Sequence, residues 1–178
     1  MTAARQTIWP IALAALFVSF VVSSQAFAAG ASATGSASGL PVPRYVSLKS
    51  DRVNVRSGPT KDHDVAWVFT RSGLPVEITA EFENWRRIRD SEGAEGWVYH
   101  SLLSGRRTAV VTARDKDQLI PVLDNPKAAS EVTAKLEAGV VTQVRRCDGK
   151  WCRVNGRNFE GWVPQERLWG VYPNEKVD

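Results

Sequence analysis

The chain repeats itself, and that constrains its fold more than any other feature. Trp85-Arg86-Arg87-Ile88 returns as Trp151-Cys152-Arg153-Val154 at an offset of 66, and Gly96-Trp97-Val98 returns as Gly161-Trp162-Val163 at 65. Val65 and the turn residue Pro59 return as Val132 and Pro126 at 67, and the stretch from Leu102 to Gly105 returns near Leu168 to Gly170. An offset that wanders while the order holds means two copies of one fold, differing in their loops by a residue or so.

Each copy reads as short strands separated by turn residues. Arg52 to Arg56 alternates polar and apolar side chains until Ser57-Gly58-Pro59 breaks it. Val65 to Phe69, Pro75 to Glu81, Trp85 to Arg89 and Gly96 to Tyr99 follow, with turns at Asn84 and at Asp90 to Gly93. Thirteen Gly and seven Trp against a single Met agree with strands and turns rather than helices. The second copy keeps the order, although Ala128 to Leu136 admits a short helical turn. Strands this short and this closely spaced suit a small barrel that closes on itself and hides its edges. The expected fold is all-β: tandem barrels at residues 44–106 and 107–173, then a tail at 174–178.

The N-terminus has the pattern of an export signal. Arg5 is the only charge before an apolar run from Ile8 to Val22, and Ala26-Phe27-Ala28 is a small-x-small cleavage site. The run falls short of the roughly 20 residues that span a bilayer. We therefore expect residues 1–28 to be a signal peptide, with no stable membrane span after its removal. No Cys lies near the cleavage point to carry a lipid anchor. Residues 29–43, AGASATGSASGLPVP, hold too little apolar surface to offset the cost of ordering, and read as a flexible linker. The mature protein is expected in the periplasm or cell envelope.

Asn54-Val55-Arg56-Ser57-Gly58-Pro59 resembles the opening signature of the bacterial SH3-like (SH3b) domains. The Trp85 to Ile88 and Gly96-Trp97-Val98 motifs stand where that family places its later strands. The resemblance implies two SH3-like barrels forming a cell-envelope binding module, often directed at peptidoglycan, without catalysis of its own. The second copy replaces the opening motif with Ile120-Pro121-Val122-Leu123-Asp124-Asn125-Pro126, setting Ile120 and Val122 against Asn54 and Arg56. It is expected to bind more weakly and to orient the first.

The candidate ligand-binding residues are Asn54, Arg56, Trp85 and Tyr99. Asn54 and Arg56 flank Val55 and so share the opposite, outward face of their strand. Trp85 opens a strand beside a turn, where one ring face can stay open, and Tyr99 adds a second ring. Aromatic rings give rigid contact area, and the Arg56 fork suits a carboxylate such as a stem peptide carries. Trp67, Trp97 and Trp162 are expected in the core, and Gly58-Pro59 only shapes its turn. Cys147 and Cys152 enclose Asp148-Gly149-Lys150-Trp151. A two-residue turn led by Gly149 sets the two Cys opposite each other, and an exported chain with one pair favours a disulfide. At the same offset the first copy has Glu81 and Arg86, which predicts a cross-strand ion pair there.

Other chemistry finds little support. Lys61-Asp62-His63-Asp64 reads as a solvated loop rather than a metal site, and two His with two Cys cannot make a zinc ribbon. His100 and Ser101 are neighbours on an expected strand and would face opposite sides. No Gly-x-Ser-x-Gly, phosphate loop or dinucleotide fingerprint occurs. We expect no enzyme activity, no cofactor and no metal. Arg86-Arg87, Arg106-Arg107 and Arg145-Arg146 suggest a basic surface, but 23 basic against 19 acidic residues is too mild a balance for nucleic acid. The expected partner is peptidoglycan; the alternative is an envelope protein, with this chain as an adaptor. If the export reading is right, mass spectrometry of the exported protein finds Ala29 at or within two residues of the N-terminus. Retention of Met1 to Ala28 would contradict it.

Overall fold

A computed structural model describes residues 33–178 except residue 116. The expected signal peptide lies outside the described residues. Among those described, no helix is long and apolar enough to cross a membrane. A small hairpin of β1 (Ala33–Thr34) and β2 (Pro41–Val42) comes first. The first barrel contains β3 (Arg44–Leu48), β4 (Val53–Arg56), β5 (Val65–Phe69), β6 (Pro75–Phe82), β7 (Trp85–Arg89), β8 (Glu95–Tyr99) and β9 (Leu103–Ser104). The second contains β10 (Thr108–Val111), β11 (Ile120–Leu123), β12 (Val132–Leu136), β13 (Val141–Asp148), β14 (Trp151–Asn155), β15 (Glu160–Pro164), β16 (Leu168–Trp169) and β17 (Lys176–Val177).

Across the sheets the strand order is β5-β4-β8-β7-β6-β3-β9 and β12-β11-β15-β14-β13-β10-β16, the same order copy for copy. A single 3-10 turn precedes the last shared strand in each, at His100–Leu102 and Gln165–Arg167. His100 and Ser101 thus sit in a tight turn, not on a strand as expected. Each core is lined by the inward half of an alternating pattern: Val53 and Val55 are fully buried while Asn54 between them is exposed. Val76, Ile88 and Val98 complete the first core, and Val122, Val154 and Val163 stand in the second. A fully buried side chain of this size contributes about 1.5–3 kcal/mol. Ala128 and Ala129 form a turn, so the admitted helix is absent and β12 follows instead.

Two boundaries and one alignment differ from the sequence reading. The expected flexible linker is folded from residue 33 onward, because β1 and β2 pair and their turn docks on Glu81. The expected tail belongs to the second barrel: β17 pairs with β13, Val177 lying opposite Cys147. The registers Val53↔Phe69 and Ile120↔Leu136 align Asn54 with Pro121 and Arg56 with Leu123, one residue away from the Ile120 and Val122 expected. The error arose from carrying the offset of 66 into a stretch where it is 67.

The hairpin ends repeat by different chemistry. Cys147 lies opposite Cys152 and the two form a disulfide with a Cα–Cα distance of 4.1 Å. Gly149, at φ +101, opens the two-residue loop as expected. In the first barrel Glu81 lies opposite Arg86, and Arg86 Nε is 3.2 Å from Glu81 Oε1. This is no ordinary surface pair, because the Glu81 side chain is fully covered. Arg44 Nη2 donates to Glu81 Oε1 at 2.8 Å, and the Ala37 and Ser38 amides donate to Oε2 at 3.1 and 2.9 Å. Burial alone would raise this carboxyl. Hydrogen bonds from Ser38 and Arg44 and from the Ser38 and Ala37 backbone outweigh it and hold the group at about 2, against 4.5 ordinarily.

The folded state therefore binds this proton less readily than the unfolded chain. Its stabilisation is complete above pH 4.5 and is lost as pH falls through about 2. In thermal melts the wild type should lose stability across that window. Glu81→Gln should start less stable at pH 7 and lack that component of the acid loss. Parallel pH profiles for the two proteins would refute the role given to Glu81.

Candidate functional site

The site begins with β4. Because Val53 and Val55 fill the core, Asn54 and Arg56 must face outward. Trp85 opens β7 directly after the Glu83–Asn84 loop and lies opposite Tyr99 on β8. Their rings meet edge to face, 5.4 Å between centroids at 86°. Asn54, Arg56, Trp85 and Tyr99 line one shallow cavity of about 180 Å³, with Lys61 and Leu102 completing its wall. All four sequence-predicted residues therefore come together.

Lys61 and Leu102 were missed. Lys61 had been assigned to a solvated loop, but Arg56 Nη1 donates to the His63 carbonyl at 2.6 Å and ties that loop back over its own strand. Ser57 N donates to Asp64 O at 3.0 Å, closing the loop at its base. His63 Nδ1 and Thr60 Oγ1 bond at 2.8 Å within it. The available signal was the Gly58-Pro59 turn, which reverses the chain two residues before Lys61. The cavity carries two cations and no carboxylate among its lining residues.

The tryptophans are arranged otherwise than expected. Trp85 is only 8% exposed, since Tyr99 packs against it, and little of its ring is open to the cavity it lines. Trp97 and Trp162, expected in the core, are half-buried on the outward face instead. The glycine before each explains why. A Cβ at Gly96 would stand 2.5 Å from Val55 Cγ1, and one at Gly161 would stand 2.5 Å from the Leu123 carbonyl oxygen. The inward position is occupied by a crossing strand, so the next residue turns outward. Trp67 packs against the first core while remaining half-buried.

The basic surface is also smaller than the sequence suggested. Arg86 is buried against Glu81, Arg87 pairs with Glu95 and Arg107 pairs with Glu175. Arg106, Arg145 and Arg146 are exposed.

The family described as bacterial SH3 domain matches residues 49–105 and again residues 116–170. The chain belongs to the bacterial SH3 domain family. Each of its barrels is one such domain, in tandem, as the repeat required. Among curated proteins none matches the chain. Solved structures similar to it include NlpC2 from Trichomonas vaginalis, 15% identical over 71% of this chain and 48% of that one, with a TM-score of 0.30. NlpC1 from the same organism is 13% identical over 76% and 48% of the two chains, with a TM-score of 0.32. This chain thus spans about half the length of either.

The crossing at Gly96 supports the cavity from beneath, because Arg56 O lies 3.1 Å from the same Cβ position. Gly96→Ala should destabilise the first barrel by about 1–3 kcal/mol, the usual cost of overpacking. Chemical denaturation followed by circular dichroism measures this, and an unchanged midpoint would show that the strands do not need to approach so closely.

Proposed function

We propose that this protein is a non-catalytic envelope-binding module whose first SH3 domain takes a carboxylate-bearing peptide of the cell wall. Bacterial SH3 domains often bind cell-wall components, and the disulfide suits an extracellular or envelope location. One observation carries the finer reading: Arg56 and Lys61 border a cavity with an aromatic wall and no acidic lining residue. Two cations on a wall that has no carboxylate favour an anion, and Arg56 keeps part of its fork free while Nη1 braces the loop. Tyr99 and Trp85 supply the apolar side, against which a short peptide can lie. A stem peptide of peptidoglycan combines both demands, a free carboxylate on a compact chain.

Trp85→Ala is a poor probe, since removing a largely buried Trp costs about 3–5 kcal/mol. Asn54→Ala together with Lys61→Ala alters exposed side chains instead. That double variant and Arg56→Ala should each lower retention on purified sacculi about tenfold with the circular dichroism spectrum unchanged. Full retention by both would move the site elsewhere. Retention of the wild type only when envelope proteins are present would favour an adaptor.

A further inference from the structure

The first barrel has another cleft, away from the Arg56 cavity. It encloses about 330 Å³ between the end of β3, the turn before β6, and β9 with the link that follows it. Ser47 and Ser104 lie opposite each other on β3 and β9, so their side chains share one face of the sheet. Ser47 is 1% exposed and belongs to the floor. Ser104 Oγ accepts a hydrogen bond from the Arg106 amide at 3.3 Å, which leaves its O–H free to donate. The two strands run antiparallel, so Lys49 and Arg106 stand beyond opposite ends of this serine pair, and the exposed Ser72 closes the rim. No acidic side chain lines the cleft, and neither cation forms an ion pair among the described residues.

The second barrel keeps the backbone of this place and little of its chemistry. The Leu48, Lys49 and Gly73 amides donate to the Leu74, Leu102 and Leu48 carbonyls, and the Val111, Thr112 and Gly139 amides donate in the same pattern to Val140, Arg167 and Val111. The register Ser47↔Ser104 likewise returns as Val110↔Trp169. On this frame Val110, Thr112, Ala138, Trp169 and Val171 stand for Ser47, Lys49, Ser72, Ser104 and Arg106. Both cations and every serine are lost together while the hydrogen bonds persist. The fold therefore does not need the polar lining that the first barrel carries.

We propose that this cleft is an anion site for a phosphate group. Arg106 offers a fork of donors and Lys49 a compact charge, and the Ser72 and Ser104 hydroxyls donate between them. A carboxylate has two oxygens in one plane. Donors arriving from two strand ends, a turn and the link suit the oxygens of a tetrahedral group instead. The inference does not rest on the carboxylate reading of the Arg56 cavity.

The test titrates inorganic phosphate into the exported protein at constant ionic strength, with acetate as the planar control, and follows backbone amides by NMR. Saturable shifts at Lys49, Ser72, Gly73, Ser104 and Arg106 are expected with phosphate and not with acetate. Lys49→Thr together with Arg106→Val installs the residues of the second barrel at exposed positions, and should weaken binding about tenfold or more with the circular dichroism spectrum unchanged. Arg106→Gln, a milder change, should weaken it less. Arg56→Ala should leave the phosphate shifts intact whatever it does to sacculus retention, so the two sites can fail separately. Sedimentation with phosphatidylglycerol vesicles but not phosphatidylcholine vesicles, lost in the double variant, would name a lipid headgroup as the source; phosphate shifts without sedimentation would name a soluble phosphate. The absence of saturable shifts at millimolar phosphate, equal shifts with acetate, shifts confined to the Arg56 cavity, or full binding by the double variant would each overturn the proposal.

Discussion

Everything else in this molecule is arranged around one buried carboxylate shared between the barrels. Glu77 sits on β6 of the first barrel, 3% exposed, and accepts a hydrogen bond from Tyr172 Oη of the second at 2.8 Å. Arg89 supplies the counter-charge, its Nε 2.9 Å from the same carboxylate. Tyr45 fills the space beside it, 4.7 Å from the Tyr172 ring and 5.1 Å from Trp169. Burial and the neighbouring Glu77 push the Tyr45 hydroxyl up to about 12 and raise Tyr172 as well, so both remain neutral at any physiological pH. From Tyr172 the connection continues through its own amide to Glu175 Oε2 at 2.8 Å, and from Glu175 to Arg107 at 2.7 Å. Arg107 lies in the short link between the barrels. A charge network that includes the linker fixes the two domains as one body, and their cavities keep a set relation to each other.

The two copies show how one backbone tolerates different chemistry at the same place. The end of the long hairpin is held in both copies. The second barrel holds it covalently, and a loop this short restricts the unfolded chain by on the order of 2 kcal/mol. The first holds it with Glu81 and Arg86, then uses the remaining oxygens of Glu81 to fasten the N-terminal hairpin. A disulfide has no acceptors to offer. The ion pair is therefore what allows residues 33–43 to be ordered on the first barrel, while the second closes its own end with β17.

The strands, the repeat and the hairpin partners were legible because they depend on period-two alternation and on turn residues, both of which are local. Asn54 and Arg56 were legible for the same reason: Val55 tells which way its neighbours point. The tryptophans were not, since their burial depends on which strand crosses beneath them, and only the glycine before Trp97 and Trp162 hinted at a crossing. The linker was misread for a similar reason. Its composition is that of a flexible segment, and what orders it is a single carboxylate more than forty residues away in sequence. The inter-barrel tyrosines carried no local signal at all.

What divides the two domains at this place is one aromatic ring. At Tyr99 the first barrel closes over its own tryptophan, leaving a small cavity that Arg56 and Lys61 make electropositive. At Pro164 the second barrel leaves its tryptophan half-exposed, and the buried Leu123 stands where the first has Arg56. The Glu77–Tyr172 joint, rather than a flexible linker, sets how the two domains stand to each other.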